Sequence, residues 1–256
     1  MRSFSLLLAV SSLALATPSL AADTPSYGAP AAWVVPANGP LPAGDAATPW
    51  LLSDSQVLIE GDKRSTFTDH AFRIGTADAL RNWDDLQFVW QPDRDDLIVH
   101  QLLILRGGET IDLLAQGLKL TVLRREKAFE QKMIDGLLTA TAPIEDLRVG
   151  DIVRFSSTIV ERSDVLAGNG EATVDIAAKP AAIAQGSVRV LWPRDLPVKW
   201  KAFGKGIAPV ESDKGAWHIL TQAAPIVKQD EMPQDAPPRF QRAPGIEFST
   251  FPTWSD

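Results

Sequence analysis

The sequence predicts an all-β protein, a large antiparallel β-sandwich carrying one or two short helices. Three observations lead there. Short apolar runs recur along the chain with polar residues at every second position, the pattern of half-buried strands. No stretch sustains the 3.6-residue period of a long amphipathic helix. Glycine and proline, 17 and 19 residues of the 256, break the chain at short intervals. Such punctuation suits tight turns between antiparallel strands better than the crossovers of an α/β fold. No internal repeat is present.

The first 21 residues have one basic side chain, Arg2, an apolar core over 4–16 and the small-residue end Ser19-Leu20-Ala21. This is the layout of a secretory signal peptide, with cleavage expected after Ala21 or Ala22. The core is shorter than the roughly 20 residues needed to span a bilayer, and no later stretch reaches that length. The expectation is export to the periplasm of a Gram-negative bacterium, with no membrane span. Residues 22–49 then form an Ala/Pro/Gly-rich arm, with prolines at 25, 30, 36, 40, 42 and 49. Proline fixes φ and donates no backbone hydrogen bond, so an extended path is expected, with Trp33-Val34-Val35 available for docking.

The sandwich domain is expected over 50–223. Strands are read at 56–59, 65–74, 86–91 and 97–106, with one helical turn at 76–82 capped by Thr76. Arg106-Gly107-Gly108-Glu109 is a hairpin signal, because glycine supplies the positive φ of a two-residue turn. Further strands are read at 111–114, 118–123, 137–142, 152–161, 172–177, 186–192, 198–203 and 216–221. The charged run 124–132 interrupts the alternation and is a candidate second helix. Asp135-Gly136 and Arg148-Val149-Gly150-Asp151 are turns, with Gly150 expected at positive φ and Asp151 accepting backbone N–H groups. Residues 224–256 are proline-rich and polar at first and read as a lacing segment or linker.

Composition narrows the function. The net charge of −7 gives no electrostatic reason to seek phosphate backbones, so nucleic acid is not an expected partner. The absence of cysteine removes thiolate catalysis, disulfides and Cys-ligated zinc together. His70, His100 and His218 are widely separated, and packed or surface histidines are favoured over a metal set. No Gly-x-Ser-x-Gly elbow is present. Asp93, Asp95 and Asp96 resemble part of a calcium loop but lack its glycine and distal glutamate, so a solvated turn is expected. No cofactor is implied.

The stretch 118–154 carries a resemblance. Leu97-Ile98-Val99-His100 through Arg106-Gly107-Gly108, Arg124-Arg125-Glu126, Asp135-Gly136 with Thr139, and Asp146-Leu147-Arg148-Val149-Gly150-Asp151 occur in a characteristic order. So do Trp217, Pro225, Glu231-Met232-Pro233, Ser249-Thr250-Phe251 and Trp254. Over most of 54–254 the chain resembles the bacterial domain of unknown function that precedes transglutaminase-like (papain-fold) domains in exported proteins. Two features depart from the pattern: Ser163-Asp164-Val165 replaces an Asn-Pro, and Phe240 stands where a tryptophan is usual. The resemblance marks Arg125, Glu126, Asp135, Gly136, Arg148, Gly150 and Asp151 as motif residues, read as structural. An acid/base couple of Glu126 with Asp135 or Asp151 is the sharper alternative, weighed against an ion-paired turn held by Arg124 and Arg125.

In that family the segment resembling 249–254 leads into a domain with Cys, His and Asp. The resemblance therefore implies a non-enzymatic accessory domain whose partner is a transglutaminase-like domain, in cis in a longer product or in trans. The alternative is a stand-alone periplasmic glycan- or peptide-binding module. Its discriminating feature is a set of outward-facing tryptophans among the eight present.

Overall fold

The computed structural model describes residues 23–45, 48–81, 83, 86–124, 136–163, 168–231, 237 and 242–252. The first 21 residues, expected to be a signal peptide, lie outside them, as do residues 125–132 of the second candidate helix; Arg124, read as its first residue, is in a strand.

One nine-stranded sheet forms the body. Its long central strands are β2 (Trp50–Glu60), β3 (Lys63–Arg73), β5 (Asp95–Arg106) and β9 (Ile152–Arg162). The short strand β1 (Ser26–Tyr27) and β6 (Glu109–Asp112) pair along the outer side of β5. Beyond β2 follow β11 (Gly186–Pro193), β14 (Trp217–Ala224) and β13 (Val210–Lys214). The order is β1-β5-β9-β3-β2-β11-β14-β13.

The all-β reading holds, and the sheet is mixed rather than purely antiparallel. β11 runs parallel to β2, and β1 parallel to β5. Both departures arise where a long connection, rather than a hairpin, feeds the strand. One helix is described, α1 (Ala77–Arg81), and Ala79 N–H donates to the Thr76 hydroxyl at 3.0 Å, as an N-cap should.

Two three-stranded sheets complete the molecule. One is β4 (Leu86–Trp90), β8 (Leu138–Ala142) and β7 (Thr121–Arg124); the other is β10 (Glu171–Asp175), β15 (Gly245–Ser249) and β12 (Lys199–Phe203). β15 lies within the stretch read as a linker. Its Ile246 and Phe248 are buried at alternate positions, so this part of 224–256 is the central strand of a sheet.

Register shows that both small sheets cover the same face of the large one. Val57, Val190 and Leu220 share that face and pack with Val174, Ile246 and Phe248. Leu97, Val99, Leu102 and Val153 share it too and pack with Phe88, Trp90, Leu138 and Ala140. The two clusters have no residue in common.

The opposite face is crossed by residues 23–41. Gly28 N–H donates to Val99 O, while the Gln56 side chain donates to Val35 O at 2.6 Å and accepts from Val35 N–H at 3.0 Å. Arg189 donates to Trp33 O and Arg154 to Ala37 O. Val34 is buried, and Trp33 packs on Leu58, Leu191 and Ile219. This layer covers polar groups that a bare sheet would leave without partners. Gln56 donates also to Asp54 at 2.8 Å, and Asp69 accepts a two-pronged pair from Arg154 at 3.1 and 2.6 Å.

Candidate functional site: a polar trough between two small sheets

Between the two clusters a strip of the covered face is floored by small polar side chains. Cross-strand register aligns Ser53 with His70 and Phe155, and Ser55 with Thr68 and Ser157. It aligns Val57 with Thr66 and Ile159, and Ile59 with Arg64 and Glu161. Period-two alternation on three adjacent strands places these groups on one face. Six residue steps separate Arg64 from His70, so the strip runs about 20 Å. Its floor between Ser55 and Asp95 borders an open cavity of about 380 Å³, walled on one side by Ala172, Thr173, Val174 and Asp175 of β10.

One end of the strip is aromatic. The His70 ring stands 5.7 Å from Trp50 and 5.4 Å from Phe155, and Phe72 and Phe88 extend the cluster. Burial holds the His70 imidazole below its usual pKa, against the opposing pull of Asp69 and Asp54. Its Nδ1 is buried without a hydrogen bond.

The other end is charged. Arg64 Nε donates to Glu161 at 2.7 Å, a second guanidinium nitrogen pairs with the same carboxylate, and Nη1 reaches Glu171 O at 3.4 Å. Asp95 is the register partner of Glu161 and is 6 % exposed. Its Oδ2 accepts from Gln91 N–H at 3.0 Å. Its Oδ1 accepts no hydrogen bond and lies 3.4 Å from the mostly exposed Arg94 Nε, a charge contact only. Burial pushes the Asp95 carboxyl up, with Glu161 adding in the same direction; the Gln91 N–H, Arg94 and Arg64 pull it back. The expected solvated turn therefore does not describe Asp95, because its position is in phase with Leu97 and Val99 on the core side. A second cavity of about 200 Å³ adjoins over Arg64 and Glu161, rimmed by Lys63, Arg94 and Arg162.

The motif residues fall elsewhere. Arg125, Glu126 and Asp135 lie outside the described residues, so the Glu126 couple is not placed. Gly136 has φ of 66°. Arg148, Gly150 and Asp151 come together in one turn with Arg106. Asp151, buried, receives Arg106 through Nε at 2.8 Å and Nη2 at 2.7 Å, and Arg148 N–H at 2.8 Å. The Arg106 guanidinium holds the Asp151 carboxyl below its usual range, and Gly150 sits at φ of 102°. Asp146 bridges Arg106 and Arg148 at the surface. Every strong acceptor of Asp151 is committed to this turn, which fixes the entry of β9.

The histidines are dispersed. His100 lies at a bulge in β5, on the face crossed by residues 23–41. Gly28 O can only accept, so Nδ1 carries the proton at 2.8 Å and Nε2 accepts from the Thr158 hydroxyl at 2.7 Å. This hydroxyl–imidazole pair resembles a nucleophile and its base, yet Thr158 is buried under that layer, out of reach of substrate. His218 meets Asp213 at 2.7 Å and Glu211 at 3.0 Å at the sheet edge. Among the described residues no three His, Asp or Glu side chains converge as metal ligands. Trp90 and Trp192 are buried, and the tryptophans at 33, 50, 83, 200 and 217 are half-buried.

Residues 62–224 match the model of a family described as a domain of unknown function with a solved structure, DUF3857. The chain belongs to this family. Its fold is similar to that of a "putative protease" from Parabacteroides distasonis, at 12 % identity and a TM-score of 0.63, over 79 % of this chain and 40 % of that one. Native yeast LTA4 hydrolase is more distant, at 9 % identity and a TM-score of 0.36 over 77 % and 28 % of the two chains, and carries no argument. No curated protein matches the chain. The chain thus spans less than half the length of either structural relative. In this DUF3857 chain the matched span omits β2 and β15, although β2 supplies part of the trough floor and β15 anchors the sheet behind the β10 wall.

The convergence of Arg64, Asp95 and Glu161 escaped the sequence reading. One signal was available: Asp95 opens a strand in phase with its core positions, where an ionised side chain needs a reason to be.

Proposed function

We propose that this chain is an exported, non-enzymatic accessory domain that holds an extended peptide in the trough and presents it to a transglutaminase-like domain, in cis or in trans. The trough carries the reading. A strip of half-buried hydroxyls between two packed cores offers donors and acceptors to a peptide backbone without the apolar closure of a small-molecule pocket. In this reading the chemistry belongs to the partner. None of the described tryptophans lines the trough cavity, which favours peptide over glycan as the ligand.

A random extended-peptide library displayed on phage tests this. The mature chain is expected to enrich binders, and a Thr68→Trp variant, which fills the middle of the floor, is expected to lose them while keeping its melting temperature within a few degrees. Mass spectrometry of the bound peptides should show them uncut. Equal enrichment by both proteins would remove the trough from the function.

A further inference from the structure

We infer that the peptide is held by strand addition: it pairs with the free edge of β10 and extends the β10-β15-β12 sheet across the trough. The inference rests on the peptide-holding reading of the trough and adds how the backbone is gripped and which side chains fit.

β10 ends its sheet, in the order β10-β15-β12. At the two ends of its pairing with β15, Thr250 N–H donates to Gly170 O at 3.0 Å and Ile176 N–H donates to Pro244 O at 2.8 Å. Backbone groups of an antiparallel strand turn alternately to one side and the other. Residues 170, 172, 174 and 176 therefore face β15, and Glu171, Thr173 and Asp175 turn N–H and C=O away from it. Arg64, on the trough floor, reaches Glu171 O through Nη1 at 3.4 Å, so that side looks into the trough. Four consecutive residues, Ala172 to Asp175, border the cavity, as a strand does when it presents its edge. Among the described residues nothing pairs with the backbone of Thr173 or Asp175 on this side. Unpaired donors and acceptors along an edge are a template for another strand.

Side chains then select the occupant. Ala172 and Val174 point inward and are buried, whereas Glu171, Thr173 and Asp175 are exposed. An added strand keeps that alternation, which sets its inward residues over Val57, Thr66 and Ile159. Short apolar side chains suit that place. Its outward residues stand beside Glu171 and Asp175, neither of them ion-paired among the described residues. Opposite charges facing each other across a strand pair stabilise it, and like charges destabilise it. A second copy is thereby disfavoured, since two β10 edges paired about Thr173 set Glu171 against Asp175 twice. The occupant that fits is an extended peptide with basic residues two positions either side of its centre and small apolar residues between.

Calorimetric titration of the mature chain with acetyl-Lys-Val-Thr-Val-Lys-amide tests the edge. Paired about Thr173, the central Thr turns its N–H to β10, and the Val after it turns its N–H away. N-methylation of that Thr is expected to weaken binding about tenfold or more, and N-methylation of that Val to leave it within about twofold. Replacing both Lys by Glu should weaken binding several-fold, and Asp175→Lys should narrow that gap. Thr173→Pro removes only the outward N–H, at a place where an edge strand accepts proline. It should abolish binding with the melting temperature within a few degrees of the parent; if that variant unfolds, the two methylated peptides decide alone. Equal affinity for the methylated pair, with binding still lost in Thr68→Trp, would overturn strand addition and leave the trough reading intact. Absence of binding by the pentapeptide, with phage enrichment still lost in Thr68→Trp, would do the same. A difference between the methylated pair that persists in Thr68→Trp would keep the edge and remove the floor. A parent that light scattering finds dimeric, with Thr173→Pro monomeric, would give the edge to a second copy and overturn the peptide as its occupant.

Discussion

Burial raises the Asp95 carboxyl because its charge has lost water and gained only part of a replacement: one backbone N–H, an off-line Arg94 and a neighbour of like charge in Glu161. The folded state therefore binds a proton more readily than the unfolded chain does. The penalty is full above the folded pKa and fades as pH falls toward the unfolded value near 4, so this group makes the fold more stable on acidification across that window. Asparagine keeps an acceptor for Gln91 N–H and carries no charge. Asp95→Asn is expected to melt higher than the parent at pH 7–8, with the gap closing near pH 4 in thermal scans. A lower melting temperature at pH 8 would show that Arg94 and Arg64 fully compensate the charge. A residue that costs stability and faces a cavity is the usual mark of a site kept for binding.

At the scale of elements, the N-terminal segment is part of the sandwich. It supplies partners to Gln56, Arg154, Arg189 and His100, polar groups on the sheet face that it crosses. Hydrogen bonds of this kind contribute about 1 kcal/mol each, and leaving buried groups unmatched costs more. Deleting residues 23–41 should lower unfolding free energy by about 3–5 kcal/mol in urea titration and speed amide exchange in β2 and β3. A chain unchanged in both would mean that water replaces the segment. Strands were readable where alternation was strong: β3, β5, β9 and β11 lie within two residues of their expected bounds at each end. β1 and β13 were not readable. Ser-Tyr is too short to carry a period, and Val210–Lys214 is exposed at every residue. The turn at Gly150 and Asp151 was legible because its requirements are local. The trough was not, since it is made by register between strands up to about a hundred residues apart, such as Arg64 and Glu161.

At the scale of the whole molecule, one border of the large sheet is charged and one of its faces is covered. The β13 edge carries Glu211, Asp213 and Lys214, with His218 and Arg194 tied to its carboxylates, a charged border that discourages strand addition. The opposite face is crossed by residues 23–41. A partner domain then has the trough and the two small sheets beside it as its natural approach. Mixed with a transglutaminase-like domain from the same organism, the chain should protect backbone amides of β10 and β3 from exchange, and a trough-bound peptide should strengthen that protection. In this scheme the partner docks beside the trough and contacts the bound peptide, so by linkage each raises the other's affinity by the same factor. Thr68→Trp should remove the coupling while leaving β13 exchange untouched. Protection confined to β13 or to residues 23–41 would show that the partner docks away from the trough and that the ligand is not passed through it.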